Sequence, residues 1–132
     1  MTHSPRVLDA SALIAMFGGH PDLMEMLDDA ERGNVFLLLP TVAVAEAEAA
    51  LNVGLALWTP FLMSRGVTTL DLTMHTAVEA ARLADPQLPG AVAGPLMAGQ
   101  VAFEAQALNA VVVTQMPSMY AGYEVAIMPV EA

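Results

Sequence analysis

Short apolar runs of strand length, separated by helical stretches, constrain this chain more than any other feature of its sequence. The runs cover residues 7–8, 35–39, 67–72, 111–113 and 125–128. The uninterrupted run at 35–39 is typical of a parallel strand that is covered on both faces. Strands that alternate with helices predict a three-layer α/β/α sandwich with a central, mostly parallel sheet. At 132 residues, we expect one domain over residues 1–132.

Prolines, glycines and capping residues mark the helices between these runs. Pro21 lies where a proline is favoured in the first turn of a helix, and Gly33 follows the end of the same amphipathic pattern. Thr41 is expected to cap the next helix, and residues 58–60 are expected to interrupt it. The predicted helices cover residues 12–17, 21–32, 43–57, 73–84 and 95–108, with a loop at 85–90.

The charge balance argues against a generic nucleic-acid surface. The chain has 14 acidic residues against four arginines and no lysine, which gives a net charge of −10. Affinity for nucleic acid comes largely from lysine and arginine at the phosphates. RNA is therefore expected as a partner only if the chain is an active nuclease.

The cysteine count and the apolar content predict the compartment and the assembly. The absence of cysteine excludes disulfides and a thiolate zinc site, and fits a reducing compartment. The longest apolar stretches are too short to cross a membrane, and the N-terminus does not resemble a signal peptide, so we expect a cytoplasmic protein. Only 14% of the residues are charged and 56% are hydrophobic, which favours a buried face between two copies.

Three polar features follow predicted strands. Asp9 follows the first run, the pair Pro40-Thr41 follows the second, and Thr114 follows the run at 111–113. In α/β folds, ligands bind at the carboxyl ends of the strands. We therefore expect the chemistry of this chain at that edge of the sheet.

Three segments at these positions resemble the motifs of the PIN domain, the nuclease fold of the VapC toxins of bacterial toxin–antitoxin pairs. Residues 7–15, VLDASALIA, are similar to the opening motif of the family. Residues 40–46, PTVAVAE, resemble the second motif, in which a glutamate lies inside a helix. Residues 102–114, AFEAQALNAVVVT, resemble the third, a helix that leads to a strand ending in threonine.

This resemblance implies an RNA-cleaving site in which three or four carboxylates hold magnesium or manganese. Asp9 matches the first carboxylate and Glu46 the second, so the resemblance makes both of them the catalytic and metal-binding residues. The third and fourth positions fall on Ala98 and Met116, which have no carboxylate. With two of four acidic ligands missing, we expect weak or absent magnesium binding.

Several neighbours bear on whether the site is complete. The hydroxyls of Ser11 and Thr114 are expected near the cluster, where they can bind water or phosphate. Helical spacing does not bring Gln100 or Glu104 to the place of Ala98. The amide oxygen of Gln115 is another candidate ligand.

Simpler roles for the two acidic residues stay open. Asp9 has the residue type and position of a helix cap, and Glu46 of a solvated helix residue. Two functions therefore remain. One is a PIN-like domain with an inactive or impaired site that works through protein association, as a homodimer and with an antitoxin-like partner. The alternative is an active magnesium- or manganese-dependent endoribonuclease toxin.

Overall fold

Five parallel strands form a single central sheet. The computed structural model describes residues 4–84 and 96–132. The strand order is β3-β2-β1-β4-β5, and every pairing is parallel. The strands are β1 (Arg6–Leu8), β2 (Leu37–Pro40), β3 (Val67–Leu70), β4 (Val111–Thr114) and β5 (Ala126–Pro129).

Helices occupy the connections between the strands. Over the described ranges they are α1 (Ala10–Phe17), α2 (Pro21–Glu31), α3 (Thr41–Leu51), α4 (Leu55–Leu62), α5 (Met74–Leu83) and α6 (Leu96–Leu108). A 3₁₀ helix, Pro117–Tyr120, follows β4. No helix among the described residues is long and apolar enough to cross a membrane.

The burial of β1 and β2 shows that both faces of the sheet are covered. All four residues of β2 are buried, and Val7 and Leu8 of β1 have no exposed surface. Successive side chains of a strand point to opposite faces, so a strand buried at every position must be covered on both sides. The predicted α/β fold with a parallel sheet is confirmed.

The predicted long helix at 43–57 is wrong in its break point. The chain leaves α3 at Asn52, whose φ of 51° is left-handed, and resumes in α4 after Gly54, whose φ is 85°. The Glu48 carboxylate stabilises this turn, because it accepts hydrogen bonds from the N–H groups of Val53 (3.0 Å) and Gly54 (2.9 Å). Pro60, which was expected to interrupt the helix, lies inside α4 instead.

The predicted cap of α3 is also wrong. Thr41 is the first residue of the helix, Pro40 is the N-cap, and no side chain of the capping residue bonds there. Gln100 of α6 supplies the acceptor instead, because its Oε1 accepts from the N–H of Val42 at 3.0 Å. Its Nε2 donates to the carbonyl of Leu70 at 3.1 Å, so one buried amide joins α3, α6 and β3.

Other boundaries differ from the predictions by one to a few residues, as helix and strand ends commonly do. Thr73 caps α5 by accepting from the N–H of Thr76, which agrees with a helix beginning there. Pro21 is the first residue of α2, as predicted. The predicted loop at 85–90 and the start of the predicted helix at residue 95 lie outside the described residues.

Candidate functional site

Asp9 lies at the carboxyl end of the central strand, in the turn between β1 and α1. Its backbone is extended, and its Oδ1 accepts a hydrogen bond from the N–H of Ala12 at 3.0 Å. Asp9 is therefore the N-cap of α1, which satisfies one of the free N–H groups at the helix start. The residue has no exposed surface.

Two hydroxyls complete the surroundings of this carboxylate. Ser11 Oγ donates to Oδ1 at 2.7 Å, and the Tyr120 hydroxyl donates to Oδ2 at 2.8 Å. An ionised carboxylate only accepts hydrogen bonds and offers about four lone-pair sites. Asp9 thus receives three donors within the protein, and both lone-pair sites of Oδ1 are used.

Thr114 extends this network through Ser11. The Ser11 hydroxyl donates its single proton to Asp9, so it cannot also donate to Thr114 Oγ1, which lies 3.3 Å away. The Thr114 hydroxyl must therefore donate to Ser11 Oγ. Backbone N–H groups fix both oxygens, because Gln115 N donates to Ser11 Oγ (2.9 Å) and Met116 N donates to Thr114 Oγ1 (2.8 Å).

Tyr120 covers the carboxylate from the 3₁₀ helix that follows β4. Only 2% of the residue is exposed, and its hydroxyl also lies 3.8 Å from the sulfur of Met97 in α6. Burial is the main cause that raises the pKa of Tyr120 far above its usual range, and the negative charges of Asp9 and, less strongly, Glu46 add to it. The tyrosine therefore stays protonated and remains a donor.

The structure brings three of the four predicted site residues into one hydrogen-bonded network. Asp9, Ser11 and Thr114 are directly linked. Glu46 is exposed on α3 and is outside this hydrogen-bonded network, although its negative charge is among the causes that raise the pKa of Tyr120. The metal-binding and catalytic roles of Asp9 and Glu46 stay predictions.

The third and fourth positions of the motif, which carry no carboxylate in this chain, lie in α6 and just after β4. Ala98 is fully buried in α6, one residue after the Met97 that contacts Tyr120. Met116 is 49% exposed just after β4. The side-chain Nε2 of Gln115 donates to the carbonyl of Glu131 at 3.0 Å, and a ligand role for its amide oxygen stays a prediction.

Few side chains at this edge offer the oxygen ligands that a magnesium ion takes. Magnesium requires an octahedron of oxygens, to which proteins contribute carboxylates. Asp9 is buried and already bonded to three donors, and Ala98 and Met116 offer no oxygen from their side chains. Within residues 4–84 and 96–132, no group of three or more His, Cys, Asp and Glu residues is placed to hold a metal.

Sequence reasoning missed Tyr120 and the role of Glu48. Pro117 does mark the start of the 3₁₀ helix, but nothing in the local sequence indicates that its last residue reaches a side chain 111 positions away. Glu48 is half-buried beside the turn between α3 and α4. It accepts from Trp58 Nε1 at 3.1 Å, besides the two N–H groups of the turn.

A second surface feature is an apolar groove between α1, α2 and α4. Its lining residues are Met16, Phe17, Met24, Leu27 and Phe61. The rings of Phe17 and Phe61 lie 6.0 Å apart, and both contact the ring of the buried Trp58. The groove is therefore built on a rigid aromatic cluster.

Comparison with known structures places this fold in a class. Over 96% of its length the chain is similar to chains of VapBC2 from Rickettsia felis (TM-score 0.67, 16% identity) and of VapBC from Salmonella typhimurium (TM-score 0.68, 18% identity), and it covers 98% of each. It is also similar to PAE2754 from Pyrobaculum aerophilum, with a TM-score of 0.57 and 17% identity over 94% of this chain and 83% of that one.

Sequence comparison alone gives no such link. No family profile matches the chain, and no curated protein matches its sequence. The shared features are therefore those of the backbone. They show that the chain has the PIN-domain fold, which is the fold that its motifs predicted.

Proposed function

We propose that this chain is a PIN-fold protein that binds another protein and does not cleave RNA. The observation that carries the proposal is the state of Asp9, the first carboxylate of the motif, whose oxygens are engaged by Ser11, Ala12 and Tyr120 in a fully buried position. A nuclease site of this type needs carboxylates that are free to hold an ion.

Electrostatics support the same conclusion. Asp9 and Glu46 supply two negative charges where the resembled family supplies three or four, so the attraction that offsets dehydration of a divalent ion is weaker. Without that ion, a body of net charge −10 repels phosphate, and four arginines are too few to reverse this.

The apolar groove is the surface that fits a protein partner. Met24 and Leu27 line it, and helical spacing places the exposed Asp28 and Glu31 one turn further along the same side of α2. We assign it to an amphipathic helix that carries apolar residues on one face and basic residues beside them. This charge complementarity favours a partner over a second copy, whose own α2 would bring like charges together.

The kind of partner is proposed from the structural neighbours. Two of them are VapBC proteins bound to DNA, one of them at a fragment of their own promoter. An antitoxin-like protein is therefore the partner that we propose for this chain. A synthetic leucine- and lysine-containing helical peptide should bind the chain, while the equivalent leucine- and glutamate-containing peptide should not.

One substitution inside the groove and one outside it make the peptide test specific. Met24→Glu in the groove should weaken binding at least tenfold by fluorescence titration. Met63→Glu is the matched control, because Met63 is 79% exposed and does not line the groove. Equal loss of binding in both variants would contradict the assignment of the groove.

Ribonuclease activity tests the other half of the proposal. The purified protein should leave a structured RNA substrate intact in millimolar magnesium or manganese. Cleavage that is abolished both by EDTA and by Asp9→Asn would establish the alternative function, the active metal-dependent endoribonuclease.

A further inference from the structure

We propose that the hydroxyl of Tyr120 takes the place of a divalent cation at Asp9, so that this edge of the sheet is held closed by a tyrosine–aspartate hydrogen bond. The inference concerns the chemistry of the Asp9 site, and it stands whether or not the apolar groove binds a partner.

A buried carboxylate must be compensated. An ionised group in a water-free environment is strongly disfavoured unless a charge partner or hydrogen-bond donors surround it. Over the described ranges, the salt bridges join Arg32 to Asp29 and Arg82 to Glu79, both on the surface. Asp9 is thus compensated by donors alone, two on Oδ1 and the Tyr120 hydroxyl on Oδ2.

The donors on Oδ1 follow from the local turn, whereas the donor on Oδ2 does not. Ala12 and Ser11 lie in the first turn of α1, and any aspartate at an N-cap can bond to such groups. Tyr120 is distant from Asp9 in the sequence. It is the last residue of the 3₁₀ helix that follows β4, and this helix brings its hydroxyl to Asp9. Its bond is the one that engages Oδ2.

The residues around Tyr120 are consistent with a neutral donor in this position. Met97 contacts its hydroxyl, and Tyr123 packs against its ring with centroids 6.2 Å apart. Ala98, next to Met97, is small and uncharged. A cation is needed where several carboxylates repel one another, and a single buried carboxylate with three donors has no such requirement.

The consequence is that Asp9 holds the site together without metal. Through Tyr120 it joins the end of β1 to the segment after β4, and through Ser11 and Thr114 it joins the start of α1 to the end of β4. The residue that the PIN motif uses for chemistry therefore has a structural role in this chain.

Thermal unfolding of the wild type and three variants, with and without magnesium, tests this inference. Tyr120→Phe removes the hydroxyl and keeps the ring, and should lower Tm by several degrees. Tyr123→Phe is the matched control, because the Tyr123 hydroxyl donates to the Leu83 carbonyl (3.0 Å), which is neutral and only partly buried, so its loss should lower Tm less. Magnesium should raise the Tm of the wild type by no more than it raises the Tm of Asp9→Asn.

Proton NMR gives a second readout that does not depend on stability. The spectrum of the wild type should contain a slowly exchanging tyrosine hydroxyl proton that is lost in Tyr120→Phe, kept in Tyr123→Phe and unchanged by magnesium. Two results would overturn the inference: a Tm of Tyr120→Phe equal to that of the wild type, or a magnesium-induced rise in Tm or loss of the hydroxyl signal that requires Asp9.

Discussion

The side chain of Asp9 combines two roles that sequence patterns usually treat as alternatives. It caps α1 through Ala12, and it lies at the edge of the sheet where a PIN fold has its first carboxylate. The two roles are compatible here because the carboxylate has two oxygens. Oδ1 faces the helix and Oδ2 faces Tyr120.

Replacing Asp9 by alanine should destabilise the protein strongly. The change removes an N-cap, which contributes about 1 kcal/mol, and leaves the hydroxyls of the half-buried Ser11 and the buried Tyr120 without their acceptor, at about 1–3 kcal/mol each. Urea unfolding followed by the fluorescence of Trp58 should give a loss on the order of 3 kcal/mol. Asp9→Asn, which keeps one oxygen, should lose less. A free energy of unfolding unchanged by Asp9→Ala would show that the network has no structural role.

Glu48 gives a pH dependence at the residue scale. The hydrogen bond from Trp58 and those from the N–H groups of Val53 and Gly54 lower the pKa of its carboxyl against the effect of burial. The stabilisation is therefore present above the pKa of the unfolded chain and is lost as the pH falls through the lower pKa of the folded state.

Unfolding of a Glu48→Gln variant tests this dependence. The variant should be less stable than the wild type at pH 7, and the difference should shrink as the pH falls below the pKa of the unfolded glutamate and through the lower pKa of the folded state. Glu46→Gln, two residues away on an exposed position of the same helix, is the control and should change little. A difference between Glu48→Gln and the wild type that is constant with pH would contradict the assignment.

Site residues that lie within a motif could be predicted from the sequence. A site residue that lies outside the motifs could not. Asp9, Ser11 and Thr114 were found because parallel strands end at one edge and place the residues that follow them together. Tyr120 could not be found, because its contact with Asp9 depends on the path of the chain after β4 and leaves no periodic pattern in the sequence.

Among the secondary-structure elements, α5 and α6 are the most closely packed helix pair. Gly99 permits the approach, since a Cβ at this position would clash with the Ala80 carbonyl oxygen and lie 2.7 Å from the Cβ of Ala84. Ala98 and Gln100 precede and follow Gly99 in α6. The packing of the pair therefore sets the position of α6 beside the Asp9 network.

A Gly99→Ala variant should be destabilised by about 1–3 kcal/mol, the usual effect of an added methylene in a packed core, although alanine favours a helix by up to about 1 kcal/mol. Chemical unfolding checks the value. Gly18→Ala is the control, because its new Cβ would lie 3.4 Å from the nearest atom, the carbonyl oxygen of Ala15, in a right-handed conformation. A Gly99→Ala protein as stable as the wild type would show that the two helices can move apart without cost.

The five strands were predictable, because a short apolar run between two turns has few possible structures other than a buried strand. The break between α3 and α4 was not, because the proline at position 60 is a stronger local signal than the turn at Asn52. Tertiary contacts decided the outcome, since Glu48 satisfies the N–H groups of that turn and the ring of Trp58 together.

Large apolar side chains are exposed across the described part of the molecule. Exposed large side chains occur on several elements, among them Leu55 (75%), Met63 (79%) and Met74 (83%). The exposed Met74 and Val78 lie one turn apart on α5. We propose that this face joins two copies of the chain.

Light scattering tests the predicted homodimer. At tens of micromolar protein, the mass should be twice the 13.8 kDa of one chain. Val78→Arg, which places a charge in the centre of the proposed face, should shift the mass toward the single-chain value, while Met24→Glu in the apolar groove should not. A single-chain mass for the unmodified protein would refute the homodimer.

Calorimetric titration with manganese tests the central claim, that this PIN fold has an acidic site which no longer holds a metal. The unmodified protein should show no saturable binding at a single site. The double variant Ala98→Asp with Met116→Asp, which restores acidic residues at the third and fourth positions of the motif, should bind one ion measurably. Saturable binding of one ion by the unmodified protein, lost in Asp9→Asn, would contradict the account.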